Sequence, residues 1–489
     1  MTPANGAAPA IRAWPWLLAI LAIAIAARLV DIGYSLWTDE IASLKFAERP
    51  LALLWSDWML RETNPPLYYT MLKGWQALFG PTDLAARLLS VVVGLAGIPL
   101  VYLIAKAAGG ARAGLVAAAL LAVSQQHVLY SQQVRGYILL HGAALTAIWG
   151  AQLFLRATDT RSRSDAIGVA IYISGCTLAT YAHTTGVLVP IAISFGMFAW
   201  LLWQRKPLRF LLIWAAANLV VLIAWGWWGR ISYLQAMAPK TISWIEPTTL
   251  PVALKASVQT LIPWQIGWGR LISLPLALIA FLAGCWRLRG TPGLLLPLVV
   301  LLAGALLMAM SLVTPVFLPR TIFWASGPFV AIVAIGICGI ADRRLFAAAL
   351  AVALALSTWG LVAWAHRPDD GWRTAVETIR TRDPDALVMV QGKGMMFMLR
   401  HYCPPDACAL RLRTVPMPET WPADFPVDGT ITEIQAQALL QYEGDAFVVG
   451  RGRPDTVPGL AAAGRPVGRA EIQPDNDQRL FVTRWQAIR

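Results

Sequence analysis

Eleven long apolar runs dominate the sequence, and most are about as long as a helix that crosses a bilayer. They fall at 14–34, 85–105, 111–124, 136–155, 166–182, 185–203, 209–228, 266–286, 292–310, 321–341 and 345–365. About 20 apolar residues in a helix span a hydrocarbon core of about 30 Å. Hydrophobic residues make up 57% of the chain and charged residues 14%, a balance that excludes a soluble globule and a disordered chain. The sequence therefore predicts an all-α polytopic membrane bundle of about eleven transmembrane helices.

The charges between these runs predict how the chain is oriented. Alternate short connections each hold two or three basic residues, namely Lys106 and Arg112; Arg156, Arg161 and Arg163; Arg205, Lys206 and Arg209; Arg287 and Arg289; Arg343 and Arg344. Basic loops stay on the cytoplasmic side of a membrane. We therefore expect an inner-membrane protein with a cytoplasmic N-terminus, and we attribute its net charge of +13 to loops that face anionic lipid rather than to nucleic-acid binding.

Residues 366–489 differ in character from the rest and are expected on the outer, periplasmic side. They are charged and punctuated by proline, with a predicted amphipathic helix at 372–382. Alternating apolar residues predict strands at 386–391, 408–413, 445–450 and 479–485. Cys403 and Cys408 form a plausible disulfide in an oxidising compartment. The tail is thus a predicted small α/β extracytoplasmic domain, attached to a membrane domain at 1–365.

Acidic residues concentrate in the first predicted outer loop, at 31–84. Seven of the eleven acidic residues before position 366 lie there, namely Asp31, Asp39, Glu40, Glu48, Asp57, Glu62 and Asp83. A loop of this length is typical of a functional segment. Apolar periodicity predicts three short helices along the outer surface, at 39–48, 50–60 and 66–79. We expect this catalytic loop to hold its carboxylates at the mouth of the bundle.

Such a loop suits chemistry on a lipid-linked donor, whose reactive phosphate lies at the membrane surface. The reaction needs a carboxylate to take a proton from the acceptor and cations to stabilise the departing phosphate. Asp39 and Glu40 directly follow the first run, which makes them the best candidates for the carboxylate. The alternative is that Asp39 only caps the helix at 40–48.

Three cations and one histidine are predicted on the same side as these acids. Arg135, Lys240 and Arg320 all fall in outer segments, where arginine and lysine suit phosphate binding. The alternative for each is a side chain that merely snorkels to the membrane surface. His183 lies in the turn between two runs, where it could instead be a structural hydrogen-bond donor.

Four motifs, in order, resemble those of one known family. They are WTDE at 37–40, NPPLYY at 64–69, YSQQVRGYILL at 130–140 and FLPRTIFWASGP at 317–328. Residues 14 to about 365 resemble the polyprenyl-phosphate-dependent glycosyltransferases of the C-type fold. Specifically, they resemble the bacterial branch of the protein O-mannosyltransferase superfamily, which includes lipid A aminoarabinose transferases and lipopolysaccharide-core galacturonosyltransferases.

The resemblance implies a role for each matching residue. Asp39 is implied as the catalytic base or as the carboxylate that orients the acceptor, with Glu40 supporting it. Arg135 and Arg320 are implied near the donor phosphate, with Tyr137 lining the site. Asn64 and Tyr68, in the second motif, join His183 and Lys240 as predicted substrate-binding residues.

Three positions depart from the family pattern. Asn64 stands where many relatives have His, Gln133 where Glu is frequent and Thr321 where Tyr is frequent. Asn64 can donate a hydrogen bond but cannot relay a proton. The sequence shows no convincing metal-ligand spacing, and the missing acid at 133 puts a metal role there in doubt. A divalent metal nevertheless stays open as a cofactor.

The function implied is an integral membrane glycosyltransferase that moves a sugar from a polyprenyl-phosphate donor to a lipid, glycolipid or protein acceptor. The resemblance implies inversion at the anomeric carbon. The main alternative is a transporter or flippase of a lipid-linked solute, which predicts ionisable residues at mid-membrane and paired broken helices. A third alternative is a non-catalytic scaffold for polysaccharide assembly.

Overall fold

Helices make up most of the computed structural model of the protein, which describes residues 13–157, 163–237, 245, 247–262, 269–366, 371–415, 446–451, 464–466 and 480–487. Its α-helices, α1 to α18, are Ala13–Leu29, Thr38–Glu48, Leu51–Leu54, Leu67–Phe79, Asp83–Ala122, Gln125–Ser131, Tyr137–Arg156, Arg163–Ala182, Leu188–Trp203, Leu208–Met237, Leu250–Leu261, Gly269–Leu288, Leu295–Ser311, Pro319–Ile322, Ser326–Ile337, Arg343–Ala365, Trp372–Arg382 and Gly392–Tyr402. Short 3-10 helices cover Asp57–Arg61, Thr184–Val187, Pro292–Leu294 and Phe323–Ala325. Strands β1 to β5 are Leu387–Gln391, Arg411–Val415, Ala446–Arg451, Gly464–Pro466 and Leu480–Ala487.

The described residues divide into two units, each with its own internal contacts. The membrane unit comprises the described parts of Met1–Ile32, Pro50–Pro239 and Ile245–Ala365. The C-terminal unit comprises the described parts of Gly33–Arg49 and His366–Arg489. The segment Gly33–Arg49 therefore groups with the C-terminal residues.

Eight of the described helical segments are long and apolar enough to cross a bilayer. They are Asp83–Ala122, Tyr137–Arg156, Thr184–Trp203, Leu208–Met237, Leu271–Leu288, Pro292–Ser311, Pro319–Ile337 and Arg343–Ala365. Helix α1 and the segment Ala166–Ala182 are shorter apolar helices. Helix α5 is interrupted at Gly110, whose φ of 89° only glycine adopts readily. Each of the eleven predicted runs therefore contains a helix, which confirms the predicted membrane bundle.

Helices α7 and α8 approach each other backbone to backbone, because glycines line their interface. A Cβ atom on Gly150 would lie 2.3 Å from the backbone nitrogen of Tyr172, and one on Gly175 would lie 2.3 Å from that of Ala147. Small residues permit this close approach between membrane helices. The start of α7 and the end of α8 are thereby held next to each other, which matters for the site described below.

The helices of the first predicted loop differ from expectation at one point. Helices α2 and α4 agree with the predicted segments at 39–48 and 66–79. The predicted helix at 50–60 is instead divided into α3 and the 3-10 helix Asp57–Arg61. Ser56 causes the break, since its hydroxyl donates to the carbonyl of Leu53 and accepts from the backbone N–H of Trp58.

A five-stranded sheet forms the centre of the C-terminal unit, in the order β2-β1-β3-β5-β4. Strand β1 pairs in parallel with β2 and β3, whereas β5 pairs antiparallel with β3 and β4. Helix α17 and strands β1, β3 and β5 agree with the predicted elements. Strand β2 begins three residues later than predicted. Helix α18 and the three-residue strand β4 were not predicted.

Helix α2 belongs to the C-terminal unit because its leading residues are hydrogen-bonded there. The backbone N–H of Leu36 donates to the hydroxyl of Tyr402 at 2.6 Å, and Thr38 donates to the sulfur of Met398 at 3.0 Å. Arg373 donates to the carbonyl of Gly33 at 2.9 Å. These bonds join the segment before α2 to helices α17 and α18.

Cys403 and Cys408 form the predicted disulfide directly after α18. The bond closes a loop with a sequence separation of five residues. A loop of this size is expected to contribute about 2 kcal/mol, largely by restricting the unfolded chain. We expect Cys403→Ser combined with Cys408→Ser to lower the free energy of unfolding of the C-terminal unit by that amount. Thermal unfolding with and without reductant measures the loss, and equal sensitivity of both proteins to reductant would contradict it.

Candidate functional site

Arg135 lies in the tight turn between α6 and α7. Its backbone N–H donates to the carbonyl of Gln133 at 2.8 Å, and its side chain is 8% exposed. Gly136 follows and lies against α8, so that a Cβ atom there would be 2.4 Å from the carbonyl oxygen of Ala182. Only glycine fits this contact without movement of one helix. The turn therefore places Arg135 and Tyr137 near the end of α8.

His183 occupies the neighbouring turn, directly after α8, and is also 8% exposed. Its Nδ1 atom accepts the backbone N–H of Thr185 at 3.1 Å. Its ring centroid is 5.3 Å from that of Tyr137. The hydroxyl of Thr184 donates to the carbonyl of Thr63, which ties this turn to the segment before α4. Since Nδ1 is an acceptor, the neutral ring carries its proton on Nε2.

Arg320 comes from a third segment, the short helix α14, and is half-buried. The hydroxyl of Thr321 stabilises this helix start, because it donates to the carbonyl of Val316 at 2.8 Å and accepts the N–H of Leu318 at 3.0 Å. Thr321 thus has a local role at the position where relatives often carry Tyr.

The charges of Arg135 and Arg320 converge on His183. Burial, followed by these two guanidinium groups, lowers the pKa of His183 to about 3. The guanidinium of Arg135 also lies 5.7 Å from the ring centroid of Tyr137. We call Arg135, Tyr137, His183 and Arg320 the arginine–histidine cluster. It combines two cations with a neutral imidazole whose Nε2–H can donate, which is the chemistry of an anion-binding site.

The lowered pKa of His183 predicts a pH-dependent stability. The unfolded chain binds a proton near pH 6.5, whereas folded His183 does not until about pH 3. Stability is therefore lost as the pH falls below about 6.5, by about 2 kcal/mol at pH 5. Because glutamine does not titrate, we expect His183→Gln not to lose this stability. When the pH is lowered from 7.5 to 5, the difference between the free energies of unfolding of the variant and the natural protein should shift by about 2 kcal/mol in favour of the variant. Denaturant unfolding at both pH values tests this, and parallel pH dependence would contradict it.

A buried carboxylate lies beside the cluster. Glu62 accepts both the backbone N–H and the side-chain amide of Asn64, each at 2.8 Å. Burial raises the pKa of Tyr69 well above its ordinary value, the negative charge of Glu62 raises it further, and Arg135 opposes this. Tyr69 thus lies near both Glu62 and Arg135. The sequence pointed to Asn64 in this segment, and the structure places its amide on Glu62.

The side chain of Tyr68, near the start of α4, is buried. It is 2% exposed, and its hydroxyl pairs with that of Ser90 on α5 at 2.7 Å. This bond joins α4 to the membrane bundle. Its predicted role in substrate binding stays a prediction.

Asp39 and Glu40 lie in the first turn of α2, within the C-terminal unit. Glu40 is fully buried, and its carboxylate accepts the backbone N–H of Trp37 at 3.2 Å. Asp39 is half-buried, and its carbonyl accepts the hydroxyl of Ser43 at 2.9 Å. Glu40, rather than Asp39, therefore caps the start of α2 with its side chain. The predicted role of Asp39 as a base stays a prediction.

Two further predictions concern Lys240 and a metal ion. Lys240 lies outside the described residues. Across the described parts of the chain, no three His, Cys, Asp or Glu side chains are grouped so that they could hold a metal ion.

Comparison with solved structures identifies the fold. The chain is similar to ArnT from Cupriavidus metallidurans in the apo state, with a TM-score of 0.64 and 15% identity over 96% of this chain and 98% of that one. The structure of the same protein bound to undecaprenyl phosphate gives a TM-score of 0.63, with the same identity and coverage. The chain is therefore a polytopic membrane protein with the C-type glycosyltransferase fold, as the four motifs predicted.

A family model matches part of the membrane unit. Residues 63–228 match the family described as dolichyl-phosphate-mannose-protein mannosyltransferase. This stretch contains the second and third motifs. The archaeal oligosaccharyltransferase AglB from Archaeoglobus fulgidus, in complex with an inhibitory peptide and a dolichol-phosphate, gives a TM-score of 0.51 at 13% identity over 85% of this chain and 61% of that one. No curated protein sequence is significantly similar to the chain.

Sequence reasoning missed several residues that build the site. The sequence does not distinguish Glu62 from the other acids of the loop, or Tyr69 from the other aromatic residues there. Tyr130 contacts the ring of Phe323 at 4.3 Å. Burial raises the pKa of Tyr130, and Arg320 opposes this, so that Tyr130 lies near Arg320. The tyrosine-rich motifs were the available signal.

Proposed function

We propose that the protein is an integral membrane glycosyltransferase that uses a polyprenyl-phosphate-linked sugar donor. The observation that carries the proposal is the convergence of Arg135, Arg320 and neutral His183 from three separate segments. Two guanidinium groups, one buried and one half-buried, suit the phosphate of such a donor. The C-type fold supports this, because a structure of ArnT is bound to undecaprenyl phosphate and one of AglB holds a dolichol-phosphate.

In the proposed reaction, the acceptor hydroxyl attacks the anomeric carbon of the donor sugar. A new glycosidic C–O bond forms as the bond between the anomeric carbon and the phosphate oxygen breaks. The bonding electrons leave with the polyprenyl phosphate, whose negative charge Arg135 and Arg320 stabilise. The Nε2–H of His183 donates to the same phosphate. The acceptor proton passes to the carboxylate of Asp39, and a single displacement of this kind inverts the anomeric carbon.

Three more of the predicted residues, Glu40, Tyr137 and Lys240, have a place in this proposal. Glu40 supports Asp39, since its carboxylate closes the start of α2. Tyr137 lines the phosphate site beside His183. Lys240 is proposed as a further cation for the departing phosphate. We propose that transfer takes place on the periplasmic side of the inner membrane, onto a lipid, glycolipid or protein acceptor of the envelope.

Mass spectrometry of the cell envelope tests the proposal and identifies both the sugar and the acceptor. Envelope glycolipids and glycoproteins are compared between a parent strain, a deletion strain and deletion strains that express either the natural chain or Asp39→Asn. We expect one envelope molecule to lose the mass of one sugar on deletion, to regain it with the natural chain and not with Asp39→Asn. A transporter would instead be favoured if the envelopes of the parent and deletion strains were the same. In that case, movement of the lipid carrier across membrane vesicles should be lost on deletion.

A further inference from the structure

Arg28, in the last turn of α1, is a fully buried cation that the proposed reaction does not use. Its guanidinium donates to the carbonyls of Ala24 and Ala122 at 2.8 and 3.0 Å. It also donates to the hydroxyl of Ser131 at 3.2 Å and to Nδ1 of His127 at 2.6 Å. The described acceptors are all neutral. A buried charge is costly even when hydrogen-bonded, so its retention calls for a role beyond filling space.

Gln132, at the end of α6, extends this set of bonds. Its side-chain amide donates to the carbonyls of Arg28 and Val30 at 3.1 and 2.8 Å. Its side-chain carbonyl accepts the indole N–H of Trp364 at 3.2 Å. Gln132 is 1% exposed. Arg28 and Gln132 together fix the end of α6 against α1, α5 and α16.

The turn that carries Arg135 is consequently held at both ends. Gln132 is its first residue, anchored to α1 and α16. Gly136 is its last, lying against the carbonyl of Ala182 on α8. Arg135 lies between these anchors, with its backbone N–H on the carbonyl of Gln133. A shift of the α6 end would therefore move the Arg135 guanidinium relative to His183.

We propose that Arg28 and Gln132 are positioning residues that hold Arg135 in the arrangement that binds the donor phosphate. This inference rests on the proposed function. Arg28 fixes the position of the α6 end through its hydrogen bonds and does not itself contact the donor. Preorganised supporting residues of this kind commonly decide how well a binding side chain works.

The test measures binding of undecaprenyl phosphate to the purified full-length chain in nanodiscs, using only folded, monodisperse protein. Gln132→Leu removes every side-chain hydrogen bond of Gln132 while keeping its bulk. We expect it to weaken binding about 10-fold. Because Gln132 acts through Arg135, adding Gln132→Leu to Arg135→Ala is expected to cause no further loss. Arg28→Lys, which keeps the charge but not the forked geometry, is expected to weaken binding less than Gln132→Leu.

Arg112→Met is the matched control, since the guanidinium of Arg112 lies over the ring of Phe346 at 3.5 Å in a different part of the membrane unit. It is expected to leave binding unchanged. Normal affinity in Gln132→Leu, beside weak binding in Arg135→Ala, would overturn the positioning role and leave the proposed function intact. Additive losses in the double variant would likewise overturn it. Normal affinity in Arg135→Ala would overturn the phosphate site itself.

Discussion

Asp39→Asn should abolish sugar transfer while the protein still folds and binds its donor. Asparagine is nearly the same size as aspartate but cannot accept the proton of the acceptor hydroxyl. Loss of a general base typically costs 100- to 10,000-fold, so we expect kcat to fall about 1,000-fold. The KM for the donor should change by less than about 2-fold, since no phosphate contact is assigned to Asp39. Transfer by the purified variant, with donor and acceptor identified from the envelope comparison, measures both constants.

Glu48→Gln is a suitable control for Asp39→Asn. Glu48 lies on the same helix, and its carboxylate pairs with Lys45 at 3.0 Å on the surface. A surface ion pair of this kind contributes little to stability, so this variant should transfer sugar normally. Normal turnover by Asp39→Asn would remove Asp39 from the mechanism. Equal losses in both variants would point to damage of α2 rather than to loss of a base.

The second large effect is expected at the two arginines of the arginine–histidine cluster. Arg135→Ala and Arg320→Ala each remove a charge-assisted contact with phosphate, which typically contributes 1.5 to 3 kcal/mol. We therefore expect each variant to weaken binding of undecaprenyl phosphate about 30-fold. Lysine at either position should recover part of the affinity, because it keeps the charge but loses bidentate geometry. Binding to the full-length protein in nanodiscs provides the measurement.

Arg230→Ala is the matched control for the arginine variants. Its guanidinium is about half exposed and pairs with Asp57 at 2.7 and 2.9 Å. Binding should be unaffected by its removal. If both cluster variants bind the lipid as well as the natural protein does, the phosphate role of the cluster is refuted. A loss that appears equally in Arg230→Ala would indicate a general effect of surface charge on the membrane.

The membrane bundle could be predicted because its signal is local. A run of apolar residues long enough to span a bilayer is readable without knowledge of its neighbours, and each of the eleven predicted runs contains a helix. The break at Ser56 was harder to foresee, since it depends on one hydroxyl that bonds in both directions. Helix α18 was missed because its apolar positions follow directly on those of β1.

The site could be predicted only in part, for reasons of distance along the chain. Arg135, His183 and Arg320 could be singled out as candidates because each lies at the end of an apolar run. The convergence of their charges comes from close helix contacts, such as that of Gly136 with Ala182, which no local pattern reveals. Arg28 was overlooked because an arginine at a helix end resembles an ordinary snorkelling residue. The roles of Gln132 and Glu62 likewise depend on partners distant in sequence.

The grouping of α2 with residues 366–489 has a consequence for how the protein must be made. The segment before Asp39 bonds to Tyr402 and Arg373, which are synthesised more than 330 residues later. During translation, the segment that carries the proposed base therefore lacks these hydrogen bonds until residues 373 and 402 have left the ribosome. A premature stop codon between codons 366 and 372 would spare all eight described segments that are long enough to cross a bilayer. It would nevertheless leave the segment before Asp39 without both of these hydrogen bonds.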